Sequence, residues 1–248
     1  MTAARPPLAL GFDADDTLWH NETLFAAAHD KFFALLAAQH DAPTVERTLF
    51  ATEMRNLPLY GYGAKGFTLS ALETAITLTA GRISATELSA ILELGREILA
   101  HPVELLEGVP AVLTGLAAAG HPLLLITKGD LLHQERKIAA SGLAQHFLAI
   151  EVVSEKDDAT YARLLRRHGL AADRFLMIGN SLKSDIAPLL RLGACAAHIP
   201  YPLTWAHEHL DSLPPAEGRF FTLKNLRDLP ALVARLQPAQ RPVAACSD

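Results

Sequence analysis

Cysteine is almost missing from this 248-residue chain; the only two are Cys195 and Cys246. One lies in an apolar run and the other is third from the end, so no structural disulfide is expected and a reducing compartment is. Long apolar runs are missing too. None approaches the ~20 residues a bilayer span requires, and residues 1–12, where a short apolar stretch runs straight into acids, lack the form of a signal peptide. Nor is there an excess of positive charge: 22 Lys and Arg stand against 27 Asp and Glu, for a net charge of −5. Nucleic acid therefore has no general attraction for the chain, and any anionic substrate needs a local positive site. Repeats and low-complexity blocks are absent. The expectation is a soluble cytoplasmic protein with neither a nucleic acid nor a membrane as partner. What is plentiful is apolar sequence, 50% of the residues, enough for a sizeable core without staples.

The length suits one large domain, or a core carrying a smaller insert. Five short, continuous apolar runs stand out at 8–12, 122–127, 149–153, 175–178 and 194–199. Runs of this kind predict strands buried on both faces. Stretches with helical spacing lie between them. The first is 110–119, with Val112, Leu113 and Leu116 on one face; 158–168 has Tyr161, Leu164 and Leu165; 185–192 has Ile186, Leu189 and Leu190. Strands alternating with helices predict an α/β fold with a Rossmann-like, doubly wound parallel sheet. The interval 19–100 breaks this rhythm. It is too long for one crossover, and Leu24, Phe25, Ala28, Phe32, Leu35 and Leu36 recur at helical spacing. Ser84-Ala85-Thr86-Glu87 has capping-box form and precedes Leu88, Ile91, Leu92 and Leu99. The expected organisation is a core from 1–18 and 101–248 with a helical module inserted at 19–100. The Pro- and Ala-rich tail from Gln237 is expected to be loose.

Ligands of open parallel sheets bind beyond the carboxyl ends of the strands. Polar clusters follow four of the five runs, at 13–17, 127–130, 154–158 and 180–185, and so should converge. Asp13 and Asp15 stand two apart on a turn. Close carboxylates repel, so a cation or a proton must stabilise one of them. A metal plus a general acid meets both needs: Asp13 attacks phosphorus, and Asp15 protonates the leaving oxygen and then deprotonates water. Thr17 can tie down the turn. An acidic turn or a helix cap would use the same residues. Thr127, Lys128 and Gly129 offer a hydroxyl and backbone N–H groups suited to a phosphate oxygen, though an ordinary strand-to-helix turn reads the same way. Lys156 could neutralise the nucleophile and the phosphoryl group, or be one more solvated lysine. Gly179 permits close backbone approach, while Asn180 and Asp185 offer oxygens to a hard cation such as magnesium. Asp185 would equally suit a helix N-terminus.

Taken in order, Asp13-x-Asp15-x-Thr17, Thr127-Lys128-Gly129, Lys156 and Gly179-Asn180-Ser181-x-x-x-Asp185 resemble the four signature motifs of the haloacid dehalogenase superfamily of hydrolases. The resemblance covers most of the chain. It implies that Asp13 is the nucleophile, Asp15 the general acid/base, and Thr127 and Lys156 the phosphoryl-binding groups. It further implies that Mg2+ is held by Asp13, the backbone carbonyl of Asp15, Asp185 and Asn180, and that the insert is a helical cap. Many members carry an acid where Asn180 stands; the amide keeps an oxygen ligand and removes a charge. The activity implied is magnesium-dependent hydrolysis of a small soluble phosphomonoester. A 2-haloacid dehalogenase or a phosphomutase would share the core. Dehalogenases need neither magnesium nor an acid at the second Asp position, so Asp15 and Asp185 argue against that route. A catalytically silent binding protein would not need the full set.

Gly61-Tyr62-Gly63-Ala64-Lys65-Gly66 spells the dinucleotide fingerprint, but no strand of a βαβ unit precedes it. A loop at 59–67 facing the site, with Tyr62 and Lys65 touching substrate, fits better, and a mobile surface connection between two helices of the insert fits nearly as well. His207-Glu208-His209 reads as a solvated helix start, since two histidines two apart without a third cluster do not make a zinc site. Tyr201 and Trp205 suit either lining the site or packing.

Overall fold

The computed structural model describes residues 7–237; Cys246 and the rest of the Pro- and Ala-rich tail lie outside the described residues. The chain enters on β1 (Ala9–Phe12) and passes through four helices: α1 (Glu22–Leu36), α2 (Ala42–Tyr60), α3 (Ala64–Leu78) and α4 (Ala85–Ala100). It then alternates α5 (Val109–Ala118), β2 (Leu123–Lys128), α6 (Leu131–Ser141), β3 (Ala149–Val153), α7 (Asp158–Arg167) and β4 (Phe175–Gly179). It closes with α8 (Ala187–Arg191), β5 (Cys195–His198), β6 (Phe220–Thr222) and α9 (Leu229–Leu236). All strand pairs are parallel, in the order β3-β2-β1-β4-β5-β6. Among the described residues no helix is long and apolar enough to cross a membrane.

The four residues of β1 are all buried, because the strand is central and covered on both faces. Leu10 sits in register between Leu123 of β2 and Leu176 of β4. Leu10 and Phe12 face α5, α6 and α9, while Ala9 faces α7 and α8. That two-sided cover is why the run is continuous rather than alternating. The sheet reverses its order between β1 and β4, so the loops leaving those two strands diverge and open a crevice at their carboxyl ends.

The five expected strands are present, and β6 is a sixth. Its three residues pair with β5 through Ala196↔Phe220 and its neighbours, a run too short to stand out by periodicity. The helix expected at 185–192 begins one turn earlier as a π-helical turn, Leu182–Ile186, before α8. Such turns concentrate at functional sites because they push one residue out of helical register.

Helices α1–α4 enclose their own apolar cluster, with Phe32, Leu49, Ala71 and Ile91 at its centre. Burying Phe32 alone contributes about 1.5–3 kcal/mol before entropy. The capping box forms as expected: Ser84 Oγ accepts from Glu87 N at 3.2 Å, and the Glu87 carboxylate accepts from Ser84 N at 2.7 Å. The buried seam of α4 differs from expectation. It runs through Ile91, Leu94 and Ile98, while Leu92 is exposed. Gly95 fixes this rotation, because a Cβ there would stand 2.0 Å from Thr68 Oγ1 on α3. The G-x-G-x-x-G segment is a helix-to-helix turn. α2 continues to Tyr60 and α3 begins at Ala64, so only residues 61–63 of the expected 59–67 loop lie outside helices.

Candidate active site

Asp13 is the first residue past β1, and its N–H donates to Ile178 O of the neighbouring β4 at 2.8 Å. That bond aims the carboxylate into the crevice. Lys156, which follows β3, donates to Asp13 Oδ1 and, at 2.7 Å, to Asp185 Oδ1. Thr17 Oγ1 donates to Asp13 Oδ2 at 3.0 Å and stands 3.4 Å from Asn180 Oδ1. Asp185 Oδ2 accepts from Ser181 N at 3.0 Å. Gly179 is required here: a Cβ on it would lie 2.3 Å from the Asp185 carboxyl. Burial raises the Asp13 carboxyl to about 7, with Asp185 and Asp15 adding to the rise and Lys156 opposing it. Burial works against the Lys156 charge, but Asp13 and Asp185 outweigh it and lift its pKa above the ordinary lysine value.

Asp15 is fixed by three donors. Trp19 Nε1 (2.6 Å) and Lys137 Nζ (2.5 Å) reach Oδ1, and Gln134 Nε2 (2.9 Å) reaches Oδ2. Burial pushes its carboxyl up, but Lys137 and these hydrogen bonds together hold it below the ordinary range. Gln134 also donates to Thr127 Oγ1 at 3.2 Å and to Lys128 O at 2.9 Å, so it links the first two polar clusters. Neither Gln134 nor Lys137 was found from sequence. The signal was an inverted one: α6 buries Gln134 and Lys137 and exposes Leu131 and Leu132. Asp16 takes a positive φ of 60°, and its carboxylate accepts from Asn21 N and Glu22 N at 2.9 and 3.0 Å. It thereby caps α1 in place of Asn21, whose own side chain makes no cap bond.

The expected substrate-binding residues divide. Tyr62, Lys128 and Gly129 line a cleft between the strand ends and helices α1–α3, whereas Thr17 and Lys65 are not on its wall. Thr17 is sealed behind Asp13, and Lys65 pairs with Asp130 at 2.9 Å. The Lys128 ammonium lies 4.1 Å over the Tyr62 ring, and Tyr62 Oη donates to Glu155 at 2.7 Å.

The expectation of a solvated His207-Glu208-His209 fails at Glu208, whereas His209 is exposed. Glu208 is only 12% exposed. Its Oε1 accepts from Lys128 Nζ at 2.5 Å, and its Oε2 from Ser181 Oγ and Ser184 Oγ at 2.5 and 2.6 Å. These donors, Lys128 first, outweigh burial and bring its carboxyl down to about 2. Trp205 lines the cleft beside Glu53, while Tyr201 Oη pairs with His20 Nδ1 at 2.6 Å.

Thr17 joins Asp13 to the Asn180 amide oxygen and Lys156 joins Asp13 to Asp185, so side-chain oxygens converge there without sulfur or imidazole, the chemistry a hard cation takes. Two carboxylates share a single lysine there, which leaves one negative charge without a partner cation. The residues present fit a magnesium ion.

The central strand of this Rossmann-like sheet ends on Asp13, which Lys156 bridges to Asp185 beyond β4. A model of the haloacid dehalogenase-like hydrolases matches residues 8–193, and the chain belongs to that family. A haloacid dehalogenase-like family hydrolase from Xanthomonas campestris is 44% identical, with a TM-score of 0.82 over 94% of this chain and 97% of that one. A 2-haloacid dehalogenase from Pseudomonas syringae pv. Tomato DC3000 shares the fold at 22% identity and a TM-score of 0.60, over 93% of this chain and 100% of that one. A predicted phosphoglycolate phosphatase from Haemophilus somnus 129pt does so at 18% and 0.59, over 91% and 97%. No curated protein matches the chain.

Proposed function

We propose that the chain is a magnesium-dependent phosphatase that hydrolyses a small soluble phosphomonoester through an aspartyl-phosphate on Asp13, with 19–100 acting as a cap over a core of 1–18 and 101–248. The observation that carries this reading is the Lys156 ammonium bridging Asp13 and Asp185 beside a separately anchored Asp15. Displacing a halide from carbon needs a nucleophile alone. A second carboxylate at the metal position and a third on the leaving-group side are what a phosphoryl group and an alkoxide require.

Asp13 Oδ attacks phosphorus as the ester oxygen departs, and Asp15 supplies the proton that oxygen needs. Lys137 holds Asp15 ionised in the free site; an entering phosphoryl dianion raises it towards protonation. Once ionised again, Asp15 takes a proton from water, which attacks the aspartyl-phosphate and releases phosphate and free Asp13. Lys156 and the Thr127 hydroxyl offset charge on the phosphoryl oxygens. Bound at Asp13, Asp185, Asn180 and the Asp15 carbonyl, magnesium would supply further charge neutralisation. The test is a panel of sugar, nucleotide and small-acid phosphates with and without magnesium, alongside 2-chloropropionate. Magnesium-dependent release of phosphate is expected; metal-independent release of chloride would replace this reading with a dehalogenase.

A further inference from the structure

The charge on the cleft wall beyond the phosphoryl-binding end sorts possible leaving groups. Three lysines line the cleft, and among the described lining residues there is no arginine. Lys156 is taken by Asp13 and Asp185, and Lys137 by Asp15 and Asn21. That leaves Lys128 as the cation able to meet a charged leaving group. Its ammonium is already held by Glu208, with Glu155 at 3.8 Å and Ser184 Oγ at 2.8 Å. Histidine adds no charge there, since burial lowers both His29 and His133, the latter to about 4.

The Glu208 carboxylate itself resembles a bound anion. Both oxygens are engaged, by an ammonium and two hydroxyls drawn from two separate strand-end loops. A substrate carboxylate or second phosphate would need this same donor set. Farther along the wall, among the described residues, stand two more acids and no cation; burial raises their carboxyls, Glu22 to about 8 and Glu53 to about 7, so each ionises fully only when a cation enters beside it. Glu22 and Glu53 line the cleft, and among the described residues neither lies within ion-pair distance of a lysine or arginine. A His29 ring nitrogen stands 4.0 Å from the Glu53 carboxylate. Aromatic rings of Phe25, Phe67 and Tyr62 share the wall with them, and rings of this kind favour a cation over an anion.

We infer that Glu208 is a specificity-determining residue that fills the anion cradle of Lys128, Ser181 and Ser184, so that the cleft accepts phosphomonoesters with neutral or amine-bearing leaving groups and rejects those with a second anionic group. The inference rests on the phosphatase reading for its substrate and on the charge arrangement of the cleft for its selectivity. It also accounts for a carboxylate far too buried and too well bonded to be surface decoration, lying outside the matched segment 8–193.

Binding to the whole protein, with magnesium present, tests it through three non-hydrolysable phosphonates of similar size: 3-aminopropylphosphonate, propylphosphonate and 3-phosphonopropionate. By calorimetry the amine and the plain alkyl compound should each bind at least about tenfold more tightly than the carboxylate, the like-charge penalty being of that order or larger. Glu208→Ala should shrink the gap by freeing Lys128 and both serines, and Glu208→Gln should shrink it with less disturbance of packing. Wild-type protein binding 3-phosphonopropionate as tightly as propylphosphonate would overturn the inference without recourse to any variant. So would a gap unchanged in folded Glu208→Gln. Turnover of p-nitrophenyl phosphate separates the two readings. Turnover with the ranking reversed removes only the selectivity; a protein that binds no phosphonate and hydrolyses no phosphate ester loses both.

Discussion

The Lys156 ammonium donates to Asp185 Oδ1 at 2.7 Å, with the two side chains 2% and 1% exposed. The same ammonium reaches Asp13, so one buried cation holds two carboxylates from different strand-end loops. Removing it leaves two buried like charges facing each other, a defect worth about 3–5 kcal/mol. Lys156→Met should therefore lower stability by that order and cut kcat/KM by at least about a hundredfold. The sign of the pH dependence follows from Asp13, already raised to about 7 by burial. A carboxyl raised in the folded state favours folding below its unfolded pKa and loses that contribution as pH rises through the folded value. In chelator, the drop in Tm caused by Lys156→Met should be larger at pH 8 than at pH 5. Equal drops would mean that the lysine does not offset these acids.

Asp15 should matter in proportion to how badly the leaving group needs a proton. Asp15→Ala is expected to slow alkyl phosphates at least about tenfold more than p-nitrophenyl phosphate, whose phenolate leaves unaided. Lys137→Met should disturb the same ratio in the same direction, because Lys137 fixes the Asp15 carboxylate. Parallel slowing of both substrate types would remove the proton-transfer role.

The metal prediction turns on Asn180. Chelation should abolish turnover and magnesium should restore it. Asn180→Asp adds a charge next to Thr17 and Asp13, so half-maximal activity should need less magnesium. Full turnover in thoroughly chelated protein would contradict the oxygen-donor reading.

Glu53 gives a test of the cleft wall that needs no substrate. Burial raises its carboxyl to about 7. Its proton is held in the folded state between the ordinary glutamate pKa and that value, so stability falls across this window as pH rises. Glu53→Gln removes the titration and should gain on the order of 1–3 kcal/mol over wild type at pH 8, and little at pH 4. Matched denaturant curves at the two pH values read the difference directly.

The polar clusters at the strand ends were legible because each follows a short apolar run, and the sheet topology then forces them together. Asp13, Asp15, Thr127, Lys156, Asn180 and Asp185 all line the cleft. Gln134, Lys137 and Glu208 were not legible. The first two reach back from α6, on a face that in most helices would be apolar. Glu208 sits in a single 3₁₀ turn, Ala206–Glu208, where no periodicity marks burial. Lys65 shows the converse. Glycine-rich surroundings suggested a ligand contact, but a carboxylate 65 residues away in sequence, Asp130, takes its charge. Partners distant along the chain decide what a lone charged residue does, and a single sequence carries no record of them.

The most direct test of the central claim is to find the covalent intermediate. Wild-type protein turning over its best phosphate ester is quenched in acid, digested, and the peptides weighed. One phosphoryl group on the peptide carrying Asp13, absent from an Asp13→Asn variant that melts like wild type but does not turn over, is the predicted result. A phosphoryl group on another residue, or turnover at the wild-type rate by Asp13→Asn, would contradict it.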